Sequence, residues 1–160
     1  MKKIISVILG VVGGIAIGAV VMNKISSSII KAKEIKIDKF KRYYSLLLLW
    51  LDHKQEGRRL SEYFTKKGYK RIAIYGMGEI GNRLYNELKN TEIEIKYVID
   101  KNANAAYSPV EVIELEELNG DEELDLVVVT APHAFEEIQK EISMKLSSPV
   151  ISIEDIVYEL

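Results

Sequence analysis

From residue 70 onward, apolar positions fall into short runs separated by helical stripes. Ile72, Ala73, Ile74 and Tyr75 form a continuous run of the length of a buried strand. Leu84, Tyr85 and Leu88 then recur at helical spacing, and a second run ends at Ile99, just before Asp100. Val110, Val112 and Ile113 predict a short third strand, Leu115 to Leu118 a single helical turn, and Asn119-Gly120 a chain reversal. Leu124 to Thr130 reads as a strand covered on both faces. Phe135, Ile138, Ile142 and Leu146 give one helical stripe, Pro149 to Ile153 a last strand, and Glu154 to Leu160 a closing helix. Nine residues separate Asp100 from Val110, fewer than the ~12 of a helical crossover, so the helix expected there is missing or vestigial. The pattern predicts an α/β body over 58–160 with about five mostly parallel strands.

The first third reads differently. Residues 4–22 carry no charge over 19 positions, and as a helix would span about 28 Å, close to the ~30 Å of a bilayer core. A membrane span is the expectation, preceded by residues 1–3 on the far side. A cleaved signal peptide is the rival, although its apolar run is usually only ~7 to 15 residues. Lys24, Lys31, Lys33, Lys36, Lys39, Lys41 and Arg42 outnumber Lys2 and Lys3, which places the C-terminal side in the cytoplasm of a single-pass protein of the cell membrane. Gly10, Gly14 and Gly18 leave a stripe without side chains where another helix could approach.

Residues 23–57 predict a basic helical stalk against the inner leaflet. Ile30, Ile37, Phe40, Tyr44, Leu47 and Leu51 follow a 3,4 spacing interrupted by Lys33. A short coiled coil fits, and so does docking on the α/β body, because Leu46, Leu48, Leu49 and Trp50 widen the apolar surface. Gly57 interrupts the helix; Leu60, Tyr63 and Phe64 make a further amphipathic turn that stops at Gly68. Tyr63 and Lys67 spell Y-x-x-x-K, but ahead of the glycine-rich turn, so Tyr63 is expected in the core. His53, among polar neighbours, is expected to face solvent.

Charge divides the chain. Residues 23–71 hold 14 Lys/Arg against 5 Asp/Glu, and residues 72–160 hold 6 against 19. A body this acidic repels a phosphate backbone, which argues against nucleic acid as its ligand. With no cysteine, disulfide scaffolding and thiolate chemistry are excluded.

The chemistry concentrates after the first strand. Gly76, Gly78 and Gly81 form G-x-G-x-x-G, whose spacing suits a tight turn, close backbone approach to a phosphate group, and close helix-to-strand packing. Asp100 follows Gly81 by 19 positions, where a carboxylate could accept ribose hydroxyls. Gly76, Met77, Gly78, Glu79, Ile80 and Gly81, with Asp100, Lys101, Asn102 and Thr130, are the candidate nucleotide-binding residues. Glu79 would repel a pyrophosphate unless Arg83, four residues on, offsets it. His133, just past a strand's carboxyl end, is a weak acid/base candidate, and no complete catalytic constellation accompanies it. No metal site is indicated.

Tyr75-Gly76-Met77-Gly78-Glu79-Ile80-Gly81 followed by Val98-Ile99-Asp100-Lys101-Asn102 resembles the small Rossmann-type domains of bacterial capsule and exopolysaccharide machinery. These include the non-catalytic domain of membrane-bound nucleotide-sugar dehydratases, a related domain of polyprenyl-phosphate sugar transferases, and the N-terminal domain of sugar acyltransferases. Those families tolerate glutamate within the glycine loop. The resemblance implies a Rossmann-like fold, NAD(P) or a nucleotide-sugar as ligand, and polysaccharide-assembly enzymes as partners. Residues 1–160 themselves are not expected to include a catalytic domain, and two other readings stay open: an oxidoreductase or epimerase subunit completed by a partner chain through His133, and a ligand-free scaffold that forms homo-oligomers.

Overall fold

A computed structural model describes residues 2–103, 109–118 and 123–160, and side chains from Ser26 onward together with those of Met22 and Lys24. The uncharged stretch 4–22 with its glycine stripe, and the Asn119-Gly120 reversal, lie outside the described side chains and residues. Among the described residues no helix is long and apolar enough to cross a membrane.

Helix α1 runs unbroken over Lys2–Gln55. Ser27 donates back to the Lys24 carbonyl (3.0 Å), the local back-bond open to a serine inside a helix. The chain forms two compact units, Met1–Lys41 and Arg42–Leu160. The second therefore includes residues 42–57, which the sequence grouped with the stalk. It continues through α2 (Leu60–Lys67), β1 (Arg71–Tyr75), α3 (Glu79–Leu88), β2 (Glu94–Ile99), β3 (Val112–Ile113), β4 (Leu126–Val129), α4 (Phe135–Ser143), β5 (Val150–Ser152) and α5 (Ile153–Glu159). Leu115–Glu117 and Pro132–Ala134 each make a single 3-10 turn.

All five strands are parallel, in the order β3-β2-β1-β4-β5. Alternation of side chains across each strand builds two apolar layers. Ile72, Ile74, Val98, Leu126 and Val128 face one layer, shared with Leu84 of α3, Leu60 and Phe64 of α2, and Ile153 and Ile156 of α5. Ala73, Tyr75, Tyr97, Ile99, Val127 and Val129 face the other, covered by Ile138 and Ile142 of α4. A sheet buried on both sides explains why its central strands β1 and β4 read as apolar runs. This is a Rossmann-like α/β fold, and its strand order reverses direction between β1 and β4, the place where such sheets open a crevice.

The end of α1 corrects one expectation. His53 does not face solvent: it is buried, with Nε2 2.9 Å from the Val157 carbonyl oxygen of α5. Leu46, Trp50 and His53 follow a 4,3 spacing that turns all three toward the body, and two polar neighbours in sequence do not alter that geometry. Docking, held open from sequence beside a short coiled coil, uses Leu46 and Trp50, and the 3,4 seam is a different face of the helix. Tyr44, Leu47 and Leu51 remain exposed in this unit, as Ile30, Ile37 and Phe40 do in the first. Tyr63 is core, as its apolar spacing predicted.

Candidate functional site

The turn between β1 and α3 is held from three sides. Gly76 leaves β1 at φ +92, a conformation that side-chain-bearing residues rarely adopt, and its N–H donates to the Ile99 carbonyl at the end of β2 (2.8 Å). From β4's end, the buried Thr130 hydroxyl shares its proton between the carbonyls of Gly76 (2.7 Å) and Tyr75 (3.0 Å). From the first turn of α3, the Asn82 side-chain amide donates to the carbonyls of Met77 (2.8 Å) and Gly78 (3.1 Å). Gly81 packs so closely that a Cβ there would lie 2.1 Å from the Gly76 carbonyl oxygen.

Asp100 completes the bracing. One carboxylate oxygen accepts the Met77 N–H (2.8 Å) and the other the Asn102 N–H (2.9 Å). The carboxylate is thus directed into the turn, where it fixes the loop while each oxygen keeps a further lone pair. The side chains of Met77 and Ile80 are buried in the core, so these two residues present only backbone to the turn's outer surface. Lys101 is exposed, 3.9 Å from Glu141.

Gly78 differs from the other two glycines of the motif. It stands at the N-cap of α3 with φ −70 and ψ −164, ordinary extended values, and a Cβ there would meet nothing within 4 Å. Neither conformation nor packing requires glycine at this position. The amides of Gly78, Glu79, Ile80 and Gly81 have no acceptor among the described residues, and they stand at the positive end of the helix dipole. The Glu79 carboxylate is almost wholly exposed and lies 3.5 Å from Arg83. It therefore extends away from the turn instead of filling it.

A concavity of about 520 Å³ opens at the carboxyl ends of β4 and β5, with Arg42, His133, Phe135, Glu136 and Glu154 among its walls. Here α1 meets the sheet edge. Arg42 donates to the Pro132 carbonyl (3.3 Å) and lies 3.6 Å from Glu154. The Tyr43 hydroxyl is 3.2 Å from His133 Nδ1, with the rings edge to face at 5.8 Å. Burial raises the Tyr43 phenol above its ordinary pKa of 10.0. His133 is thereby tied to α1 at the edge of this cleft. Among the described residues no cluster of three or more His, Asp or Glu could hold a metal ion.

The structure thus gathers Gly76, Met77, Gly78, Gly81, Asp100, Asn102 and Thr130 into one hydrogen-bonded turn. Thr130 and Asp100 act within it as braces. The sequence reading overlooked Asn82, whose only signal was a side-chain amide placed directly after the last glycine. It also overlooked Arg42 and Tyr43, which reach across 90 residues to Pro132 and His133.

A parallel sheet of this order, with a glycine turn at the point where strand order reverses, defines the Rossmann-like class. Within that class, residues 68–149 match the family described as C2185-like, N-terminal, and the chain belongs to that family. No curated protein and no solved structure matches it.

Proposed function

We propose that this chain is a membrane-tethered module that binds a nucleotide or nucleotide-sugar, NAD(P) included, at the first turn of α3 and serves cell-envelope polysaccharide biosynthesis. The observation that carries the reading is Gly78: a glycine that the fold does not demand, in front of amides that have no acceptor among the described residues. A side chain there would stand over the approach to those donors, which suit a phosphate oxygen. Asp100, with lone pairs remaining, lies where the ribose hydroxyls of such a ligand would reach.

The tether rests on the uncharged stretch 4–22 and the cations that follow it, which orient the body toward the cytoplasm. The envelope role rests on the resemblance of the glycine turn and the Val98 to Asn102 strand end to domains of capsule and exopolysaccharide enzymes. The test is thermal melting of the full chain with NAD, NADP and a UDP-sugar in turn. Ligand at about ten times its Kd adds about 1.4 kcal/mol, a rise of roughly 5 °C for a body of this size. Gly78→Val is expected to abolish the rise while leaving the unliganded melting temperature nearly unchanged. Absence of any rise at millimolar ligand retires the binding claim.

A further inference from the structure

We propose that α1 pairs two copies of this chain in parallel through the face opposite the one that docks on the α/β body. In the unit Arg42–Leu160, Leu46, Trp50 and His53 point inward and are buried, while Tyr44, Leu47, Leu48 and Leu51 point outward and are 66%, 42%, 43% and 49% exposed. The stretch is apolar on both faces, and a helix apolar all round is one covered all round. The body covers only one side. Beside the bare face, Leu47, Trp50 and Leu51 border Arg83, Asn86 and Glu87 of α3 in a shallow groove of about 320 Å³.

The period of the bare residues identifies the occupant. Ile30, Ile37, Tyr44 and Leu51 recur every seven residues, and Phe40 and Leu47 fall at the intervening positions. This is the seam of two helices wound together, and a helix laid on a sheet would need no such repeat. In the unit Met1–Lys41, Ile30, Ile37 and Phe40 are likewise exposed, at 56%, 51% and 72%. Six side chains each leaving about 100 Å² bare supply roughly 1,200 Å² between two copies, the lower bound for a specific interface. Lys33, at one seam position, sets register at a cost in stability. Lys36 and Lys41 occupy the flanking positions that face each other across a parallel pair, so the dimer is opposed by like charges that salt screens. The parallel direction rests on the membrane-tether reading, because two chains inserted in one bilayer point the same way.

The chain has no cysteine, so single substitutions can be crosslinked by oxidation in the full chain, in the membranes of cells expressing it. Ile37→Cys and Leu51→Cys are expected to give dimers several-fold more readily than their exposed neighbours Asp38→Cys and Asp52→Cys, and the yield is expected to rise with salt. Leu47→Glu with Leu51→Glu should abolish the Ile37→Cys product, and unchanged circular dichroism would show the fold intact. Equal yields at all four positions overturn the proposal. So does a yield that falls with salt, the signature of an acidic partner or an anionic lipid surface, and so does a chain that stays monomeric throughout. Fractionation of the same cells reads the tether separately: recovery of the chain in the soluble fraction removes the tether without deciding the seam.

Discussion

Replacing Gly81 with alanine places a carbon 2.1 Å from the Gly76 carbonyl oxygen. Ordinary contact begins near 3.4 Å, so α3 and the end of β1 must separate by more than an ångström. Overpacking costs about 1–3 kcal/mol, and a clash with backbone, which has no rotamer to yield, belongs at the top of that range. For a body of this size, about 3 kcal/mol lowers the melting temperature by roughly 12 °C. Gly78→Ala is the internal control. It meets nothing within 4 Å and keeps an allowed φ. The poorer N-cap and the stiffer unfolded chain are each worth about 0.5–1 kcal/mol in opposite directions, so its melting temperature should move by no more than roughly 2 °C. Thermal melting of both variants by circular dichroism without ligand is the assay. A Gly78→Ala variant as unstable as Gly81→Ala, or a Gly81→Ala variant melting like the parent, would refute the assignment of one glycine to the fold and the other to the approach.

Three further outcomes follow from the same contacts. Glu87 accepts from Trp50 Nε1 (2.8 Å), Lys54 Nζ (3.0 Å) and the Leu60 N–H (2.9 Å), joining α1, α2 and α3; Glu87→Ala strands buried donors and should cost about 2–4 kcal/mol in denaturant unfolding, followed through Trp50, the only tryptophan. Thr130→Val deletes the hydroxyl that clamps the Gly76 carbonyl and should cost about 1–2 kcal/mol, with faster hydrogen exchange at the Gly76 and Met77 amides as the check. Asp125 accepts the N–H groups of Arg71 (2.7 Å) and Lys70 (2.8 Å), and these bonds hold its carboxyl below the ordinary aspartate value of 3.8. A depressed folded-state pKa gives stability that is complete above the unfolded value and lost as pH falls through the folded one. Asp125→Asn should therefore cost about 1 kcal/mol at neutral pH, and the gap to the parent should narrow in urea titrations as pH is taken progressively below the ordinary aspartate value of 3.8.

The sheet was legible because strands buried on both faces spell themselves as apolar runs, and the glycine turn because its spacing is fixed by backbone geometry. The face of α1 that docks was not legible. Leu46 to Leu51 is apolar at every position, so periodicity offers two faces, and only the position of α5 selects Leu46, Trp50 and His53. His53 reads as polar because Asp52 and Lys54 flank it, although burial follows helical spacing and not adjacency. The spacing brought Asp100 to the turn without specifying its bond to the Met77 amide, which depends on how far β2 extends beside β1. Contacts across 90 residues, such as Tyr43 with His133, leave no local trace in the chain.

In the proposed complex the first-turn amides of α3 receive an anionic group of the nucleotide ligand. Amide chemical shifts of the ¹⁵N-labelled chain, followed during titration with NAD and then a UDP-sugar, test it residue by residue. Gly78, Glu79, Ile80 and Gly81 should move together and saturate, with the Asp125 region unaffected. Shifts that fall elsewhere, or none at millimolar ligand, would rule out this site.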